Sequence, residues 1–334
     1  MEKIGVLGAG GWGTALSILL ESKGFKVYLG EIFPDYAEEL RKKRENYRFL
    51  PGVRIPSGIL ITSSLEELIE DIGILVLTVP SQYLRQVLRR LPPLPSSLLI
   101  VSGVKGLEMG TNLRMSEVIE EELGRGNIAV ISGPSHAEEV ARFIPTAVVS
   151  ASRDEEIARK VQEIFTTPYF RVYTHTDVIG VELGGALKNI IALACGISNG
   201  LGYGDNTRAA LITRGITEIA RLGIAMGGRP STFWGLAGIG DLVVTAESVH
   251  SRNRYVGERI GKGEKLEDIQ KSMEKVAEGI YTVKAAYQLS REKNVEMPIT
   301  QVVYRILYEG LPPREGVKEL MERTPRAEEE DFFS

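Results

Sequence analysis

Lys3-Ile4-Gly5-Val6-Leu7-Gly8-Ala9-Gly10-Gly11-Trp12-Gly13 is the stretch on which the fold turns. A short apolar run, strand-like by composition, ends in Gly-x-Gly-x-x-Gly. The apolar positions from Trp12 to Leu20 then read as a helix. That order, strand to glycine turn to helix, is the context in which the motif binds a dinucleotide. Gly8 permits the tight turn, Gly10 lets the backbone approach a pyrophosphate, and Gly13 lets helix pack closely on strand. The helix start offers unpaired N–H groups and the positive end of its dipole to phosphate. Gly11 and Trp12 lie in the same turn, and Trp12 is expected to pack at the helix start with its edge toward the cofactor.

The next apolar run, Lys26–Leu29, is followed by Gly30-Glu31. Glu31 stands 31 − 13 = 18 residues past the last glycine, close to the roughly 20 expected of an acid that bonds the ribose 2′-hydroxyl. A carboxylate there favours NAD and repels a 2′-phosphate, although NADP stays open.

Further runs with the same character are Ile59–Thr62, Ile74–Val79, Leu98–Val101, Ile128–Ile131, Thr146–Ala151 and Phe170–Tyr173. Helix signals separate most of them. Ser64-Leu65-Glu66-Glu67 and Ser152-Arg153-Asp154-Glu155 both match the capping box, in which hydroxyl and carboxylate serve reciprocal backbone donors. Strands alternating with helices imply crossover units, so residues 1–177 are expected to form a Rossmann-like, doubly wound, mostly parallel α/β sheet. After Asp177 the pattern changes. Val178–Gly200, Arg208–Gly223 and Val276–Lys293 read as helices, which predicts an all-α domain over 178–326 and a frayed acidic tail over 327–334. A chain of 334 residues is too long for one ordinary core, in agreement with two domains.

Composition excludes several classes. Forty basic and forty-four acidic residues give a net charge of −4, against nucleic acid as a main partner. The single cysteine, Cys195, permits no intrachain disulfide and sits in the apolar run Ile190–Ile197, so it reads as a buried small hydrophobe. No secretory leader is evident, and no stretch approaches the roughly 18 apolar residues of a membrane span; a cytoplasmic location is expected. No His, Cys, Asp and Glu cluster has metal-ligand spacing, so no metal is expected. His136, His175 and His250 are read as structural.

Four other segments gather chemistry. Val101-Ser102-Gly103-Val104-Lys105-Gly106-Leu107-Glu108 leaves the end of a strand, where open α/β sheets bind ligands. Ser132-Gly133-Pro134-Ser135-His136-Ala137 does the same and opens a helix. Glu182-Leu183-Gly184-Gly185-Ala186-Leu187-Lys188-Asn189 carries a lysine into apolar surroundings, which is costly unless that lysine is paired or used. Gly238-Ile239-Gly240-Asp241 is followed by Ser251-Arg252-Asn253-Arg254. In this order the segments resemble the soluble, bacterial-type NAD(P)-dependent glycerol-3-phosphate dehydrogenases, from about residue 3 to about residue 310.

The resemblance implies roles. Lys188 takes the place of the family's general acid/base and Lys105 that of its second active-site lysine, which touches substrate and cofactor. Asn189, Asp241 and Thr245 fall where the family lines its substrate pocket, with Asp241 among the catalytic set. Ser251, Arg252 and Asn253 resemble its phosphate-binding run, Arg252 being close to the cofactor as well. Gly133 and Ser135 match substrate positions and Ala137 a cofactor position, while Val276 and Glu278 match distal cofactor contacts. Two positions depart from many bacterial members: Ile32 stands where an Arg can hold a 2′-phosphate, and Gly11 where a Ser is common.

Reducing a ketone with hydride leaves an alkoxide that needs a proton, and an ammonium both polarises the carbonyl and supplies that proton. A neighbouring cation such as Lys105 would lower the pKa of Lys188 for the reverse direction, and Asp241 could orient a lysine or cap a helix. Arg252 has the planar fork that suits phosphate. The implied reaction interconverts sn-glycerol 3-phosphate and dihydroxyacetone phosphate, and would supply the former for phospholipid synthesis. The alternatives are a β-hydroxyacid dehydrogenase of the same architecture and a non-catalytic NAD(H)-binding protein. A homodimer stays open.

Overall fold

The computed structural model describes residues 2–124, 126–273, 277–325 and 327–328. Two compact units result. The first runs up to Val104 and resumes over Met115–Val178; the second joins Lys105–Arg114 to the chain from Ile179 onward.

The first unit is built on one sheet of β1 (Lys3–Leu7), β2 (Lys26–Gly30), β3 (Leu60–Thr62), β4 (Ile74–Leu77), β5 (Leu99–Ser102), β6 (Ile128–Ser132), β7 (Thr146–Ala151) and β8 (Phe170–His175). Their order is β3-β2-β1-β4-β5-β6-β7-β8. Every neighbouring pair is parallel except β6 and β7, which run antiparallel. The first six strands thus follow the dinucleotide-binding order, with its switch point between β1 and β4. β1 is buried along Ile4–Leu7 and β4 along its whole length. Continuous apolar runs, rather than alternation, are what a sheet covered on both faces requires. The covering helices are α1 (Gly11–Ser22), α2 (Pro34–Lys43), α3 (Leu65–Ile69), α4 (Leu84–Leu88), α5 (Met115–Leu123), α6 (Ala137–Val140) and α7 (Glu155–Phe165). Leu16, Leu20, Leu29, Leu40, Val76 and Phe165 are among the core side chains.

All eight expected strands form, but the caps differ from the capping-box reading. Ser64 does cap α3, its Oγ accepting from the Glu67 N–H at 3.1 Å, yet Glu67 does not reach back. Its carboxylate accepts from the Thr62 hydroxyl, which in turn takes the Ser64 N–H at 3.0 Å. At α7 the cap is Asp154, which accepts from the Glu156 N–H at 2.9 Å. Ser152 is buried and donates to the Ile128 carbonyl at 2.8 Å, a bond to the neighbouring strand that takes it out of the cap.

The second unit consists, among the described residues, of helices and one isolated bridge, Leu107 to Arg114. The helices are α8 (Val178–Gly200), α9 (Asp205–Ala225), α10 (Pro230–Phe233), α11 (Asp241–Glu247), α12 (Arg252–Gly261), α13 (Leu266–Lys271), α14 (Glu278–Glu292), α15 (Pro298–Tyr308) and α16 (Pro313–Met321). α8 is the axis of this unit, with Leu187, Ile190, Ile191, Leu193 and Cys195 all within its core. It also corrects the expectation about apolar stretches: α8 is long and apolar enough to cross a membrane by composition, but 94% of that window is buried inside the protein. Burial pushes the Cys195 thiol up to about 12, so it stays protonated as a packing residue. Apart from Ala327 and Glu328, the acidic tail expected over 327–334 lies outside the described residues, as does Val276.

Candidate active site

In the first unit the glycine turn joins the carboxyl end of β1 to α1. Leu7 is in register with Gly30 of β2 and Leu77 of β4, so the turn emerges at the switch point. Gly8 has φ +113°, a left-handed conformation that side chains resist, and a Cβ on Gly13 would overlap the Gly8 carbonyl oxygen. Helix and strand can meet this closely only because both are glycine. Thr78, just past β4, braces the same turn: its hydroxyl donates to the carbonyls of Gly8 at 2.9 Å and Leu7 at 3.1 Å. The sequence reading passed over Thr78 because it looked like one more residue of an apolar run.

This turn fits a dinucleotide. α1 begins at Gly11, after Gly10 as its N-cap, with no side-chain cap and no acidic residue in its first turn. Among the described residues no protein group accepts from the N–H of Gly11, Trp12 or Gly13. A Cβ on Gly10 would meet nothing within 4 Å, so an approach is open there. The Trp12 indole N–H is buried and unpartnered, close to Gly103. Glu31, just past β2, is only 8% exposed; one carboxylate oxygen accepts from the Phe33 N–H at 3.0 Å. Burial raises its pKa, opposed by the backbone N–H groups of Phe33 and Ile32. Gly133 and Ser135 lie in the loop after β6, where the Ser135 hydroxyl donates to the Gly133 carbonyl at 2.9 Å. Ala137 opens α6 beside Gly11.

In the second unit the lysines converge on one carboxylate. Lys188, on α8, is 6% exposed and Asp241, the first residue of α11, 1%. The Lys188 ammonium donates to Asp241 Oδ1 and, at 2.9 Å, to the Thr245 hydroxyl. Lys105 donates to Asp241 Oδ2 at 2.7 Å. The Thr245 hydroxyl donates its own hydrogen bond to the Asp241 carbonyl at 2.6 Å, which leaves its lone pairs for Lys188. Asp241 is therefore no helix cap: both oxygens are committed to lysines, and α11 starts from Gly240 without a side-chain cap.

Local packing explains how these groups meet. Gly184 and Lys188 are four residues apart, on one face of α8. A Cβ on Gly184 would overlap the Ala237 carbonyl oxygen, so its absence lets the turn Leu236–Gly240 lie against the helix one turn before Lys188. That turn delivers Asp241. Lys105 is placed by a residue that the sequence reading missed. Arg114 closes the Lys105–Arg114 segment by its bridge to Leu107 and donates to Glu182 on α8 at 2.6 Å, both side chains buried. Two charged residues at separation 68 carry no pattern that would pair them in sequence.

Electrostatics follow from burial. Loss of solvent pulls the Lys188 pKa down to about 7; the Asp241 charge opposes this and the Lys105 charge adds to it. Burial pushes Asp241 upward, but Lys105 and Lys188 together outweigh it and hold the carboxyl below its ordinary range. The result is an ionised carboxylate and an ammonium poised to exchange its proton near neutral pH.

A second polar chain borders this group in sequence. Asn189, next to Lys188, accepts at Oδ1 from Asn253 Nδ2 at 2.9 Å, and Asn253 Oδ1 accepts from the Gly279 N–H at 2.9 Å. Asn253 is thereby committed to tying α8, α12 and the start of α14 together, with Glu278 as the first residue of α14. Ser251 caps α12 through the Arg254 N–H at 3.2 Å, and Arg252 is exposed on the first turn of that helix. His175 accepts at Nδ1 from the Asp177 N–H at 2.9 Å, a turn-closing role. A cavity of about 300 Å³ lined by Ala194, Leu211, Glu218, Ile299 and Val302 lies elsewhere in this unit and includes neither Lys188 nor Asp241.

A Rossmann-type sheet with an uncapped glycine turn, in one chain with a buried lysine–carboxylate–lysine group, defines a nicotinamide-dinucleotide-dependent oxidoreductase. The family models for NAD-dependent glycerol-3-phosphate dehydrogenase match the chain over residues 3–158 (N-terminus) and 177–318 (C-terminus). The chain belongs to that family. It is 52% identical to glycerol-3-phosphate dehydrogenase [NAD(P)+] of Chlorobium limicola, over 97% of this chain and 99% of that protein. Against the protein of the same name from Carboxydothermus hydrogenoformans it is 53% identical, over 98% of each. The crystal structure of glycerol-3-phosphate dehydrogenase from Coxiella burnetii superposes with a TM-score of 0.92 at 42% identity, covering 96% of this chain and 99% of that one.

Proposed function

We propose that the protein interconverts sn-glycerol 3-phosphate and dihydroxyacetone phosphate, with Lys188 as general acid/base and NAD as the preferred dinucleotide. The observation that carries this reading is the buried Lys188 ammonium held on Asp241 beside Lys105, in a chain of this family.

Gly8, Gly10, Gly11, Trp12 and Gly13 would hold the pyrophosphate and Glu31 the adenosine ribose; Ala137, Glu278 and Val276 are the further cofactor positions that the family pattern implies. Bound NADH would supply the hydride. The protein's own residues supply the rest. In reduction, Lys188 donates a hydrogen bond to the ketone oxygen and then gives that oxygen its Nζ proton as charge develops there. In oxidation, neutral Lys188 takes the hydroxyl proton. Asp241 keeps the amine aimed and offsets the repulsion between the two lysines. Lys105 adds a second positive charge to the substrate pocket. Asn189 Nδ2 has no protein partner among the described residues and is the amide available to a substrate hydroxyl. Arg252, exposed at the start of α12, combines a planar fork with a helix N-terminus and would take the phosphate. Ser251 shapes that turn as its cap, while Gly133 and Ser135 are the positions in the first unit assigned to substrate. The single buried thiol suits a reducing compartment such as the cytoplasm.

Glu31 supports NAD over NADP because a buried carboxylate would meet the 2′-phosphate of NADP with like charge. The test is loss of NADH absorbance on adding dihydroxyacetone phosphate, repeated with NADPH and with a panel of β-keto acids. Turnover confined to the phosphorylated ketone, with higher kcat/KM for NADH, is expected. Lys188→Ala should retain NADH binding and lose turnover. A variant with near-wild-type kcat would remove Lys188 from the chemistry, and no turnover of any ketone by the wild type would leave only nucleotide binding.

A further inference from the structure

The glycine turn is held from behind by a residue that no motif contains. Asn46, in the segment after α2, is fully buried. Its amide nitrogen donates to the Ala9 carbonyl at 2.9 Å and to the Thr14 hydroxyl at 2.7 Å, with a weaker 3.4 Å approach to the Gly10 carbonyl. Its oxygen accepts from the Tyr36 hydroxyl at 2.6 Å and the Phe49 N–H at 3.1 Å. The two ends of the amide cannot be exchanged. Carbonyls only accept and a backbone N–H only donates, so this network fixes which atom faces which.

The consequence for the turn is geometric. A trans peptide is planar, with its C=O and N–H on opposite sides. Drawing the Ala9 carbonyl onto Asn46 turns the Gly10 N–H away from it; the Gly10 carbonyl, oriented the same way, turns the Gly11 N–H away. At Gly11 Phe49 closes the space, since a Cβ there would come within 2.8 Å of its carbonyl oxygen. At Gly10 a Cβ would meet nothing within 4 Å. Tyr36 secures Asn46 in turn. Its ring meets Phe49 edge-on at 5.8 Å between centroids, the Arg48 guanidinium covers it at 4.6 Å, and burial pushes its hydroxyl pKa up, so it remains a donor.

We propose that Asn46, secured by Tyr36, is a positioning residue that presets the peptide planes of the phosphate-binding turn and so determines cofactor affinity without touching the substrate chemistry. The proposal rests on the dinucleotide reading of the turn. Without the amide the two carbonyls lose their anchor, and the turn must be ordered anew at each binding event, a cost subtracted from affinity.

Three variants of the full chain test it: Asn46→Ala, Asn46→Asp, which keeps an acceptor but removes both donor hydrogens, and Tyr36→Phe, which keeps the ring. The readouts are Kd for NADH by fluorescence without substrate, KM for NADH and for dihydroxyacetone phosphate, kcat at saturating NADH, and Tm. Expected is a rise of about tenfold in Kd and KM for NADH in both Asn46 variants and about threefold in Tyr36→Phe. kcat and the KM for dihydroxyacetone phosphate should hold. Val161→Ala, a cavity variant at a fully buried side chain of α7 in the same unit that makes no hydrogen bond to the turn, should lower Tm and leave the KM for NADH unchanged. Should Asn46 replacements fail to fold, Tyr36→Phe alone decides. Unchanged Kd in the variants that fold, or an equal rise in Val161→Ala, reduces Asn46 to a stability brace and overturns the proposal. Wild-type protein that binds no NADH overturns the dinucleotide reading itself, a result separable from the first.

Discussion

Replacing Asp241 by Asn removes one charge and keeps the shape, and it should move the pH dependence of reduction toward acid. In the wild type, Asp241 gives one oxygen to Lys188 and the other to Lys105. At an effective dielectric of about 20, opposite charges 4 Å apart attract by about 4 kcal/mol. A neutral amide loses that attraction but can still accept one hydrogen bond, worth about 1 kcal/mol. The remaining loss of about 3 kcal/mol corresponds to about two pKa units. Lys188, already drawn down to about 7 by burial, would fall further because the Lys105 charge is no longer balanced. The sign for catalysis follows: reduction needs the protonated amine, so kcat/KM for dihydroxyacetone phosphate falls as pH rises through the Lys188 pKa. In Asp241→Asn that fall should occur about two units lower, which leaves roughly 1% of the amine protonated at neutral pH and cuts the reductive rate about fifty-fold. Oxidation of glycerol 3-phosphate, which needs the neutral amine, should shift the same way and rise by up to about twofold at neutral pH, as the neutral fraction grows from about half to nearly all. The assay is kcat/KM against pH in both directions by NADH absorbance. Equal losses in both directions with an unmoved reductive profile would show that Asp241 only aims Lys188, and that the buried charge does not tune it.

Gly184→Ala should lower both Tm and kcat. A helix interior normally gains about 0.5–1 kcal/mol from Ala over Gly, but here the new methyl overlaps the Ala237 carbonyl, and overpacking of this kind costs about 1–3 kcal/mol while pushing Asp241 off Lys188; a stabilised, fully active variant would refute the packing argument. Glu218→Gln should change the pH dependence of stability. Glu218 accepts from the N–H groups of Ile299 and Thr300 and from the Thr300 hydroxyl, and burial raises its pKa to about 7 from 4.5. Its favourable contribution is fully present below the unfolded value and lost as pH rises through the folded one, so wild-type stability relative to Glu218→Gln should decline by on the order of 3 kcal/mol between about pH 5 and about pH 8 in urea titrations. A difference independent of pH would mean that the carboxyl is ionised throughout.

The first unit was largely legible because its signals are local. β1, the glycine turn and α1 sit in one stretch of twenty residues, and buried parallel strands announce themselves as unbroken apolar runs. Local signals also failed where a nearer partner competed. Ser152 has the spacing of a cap, but β6 offers it the Ile128 carbonyl, and Asp154 takes the cap two residues on. The length of α8 was readable, but its burial was not. Apolarity all round a helix is common to a membrane span and to the central helix of a bundle, and only the surrounding helices of the second unit decide between them.

The candidate site divides along the same line. The ordered motifs named Lys188, Lys105 and Asp241, which the structure brings together; the pairings themselves were not readable, because they span 53, 136 and 68 residues: Lys188 with Asp241, Lys105 with Asp241, Arg114 with Glu182. Asn253 shows the difference most clearly. As part of a Ser-Arg-Asn run it reads as a phosphate ligand; its oxygen and one of its two Nδ2 hydrogens also serve Gly279 and Asn189, beside Arg252, the exposed cation of that run. Removing that amide leaves the Gly279 N–H and the Asn189 oxygen unpaired, a penalty of about 1–3 kcal/mol each, whereas the second Nδ2 hydrogen is not used in either bond. Truncating Asn253 should therefore lower Tm by loosening the joint between α8, α12 and α14, whereas truncating Arg252 should raise the KM for the phosphorylated substrate and leave that joint intact.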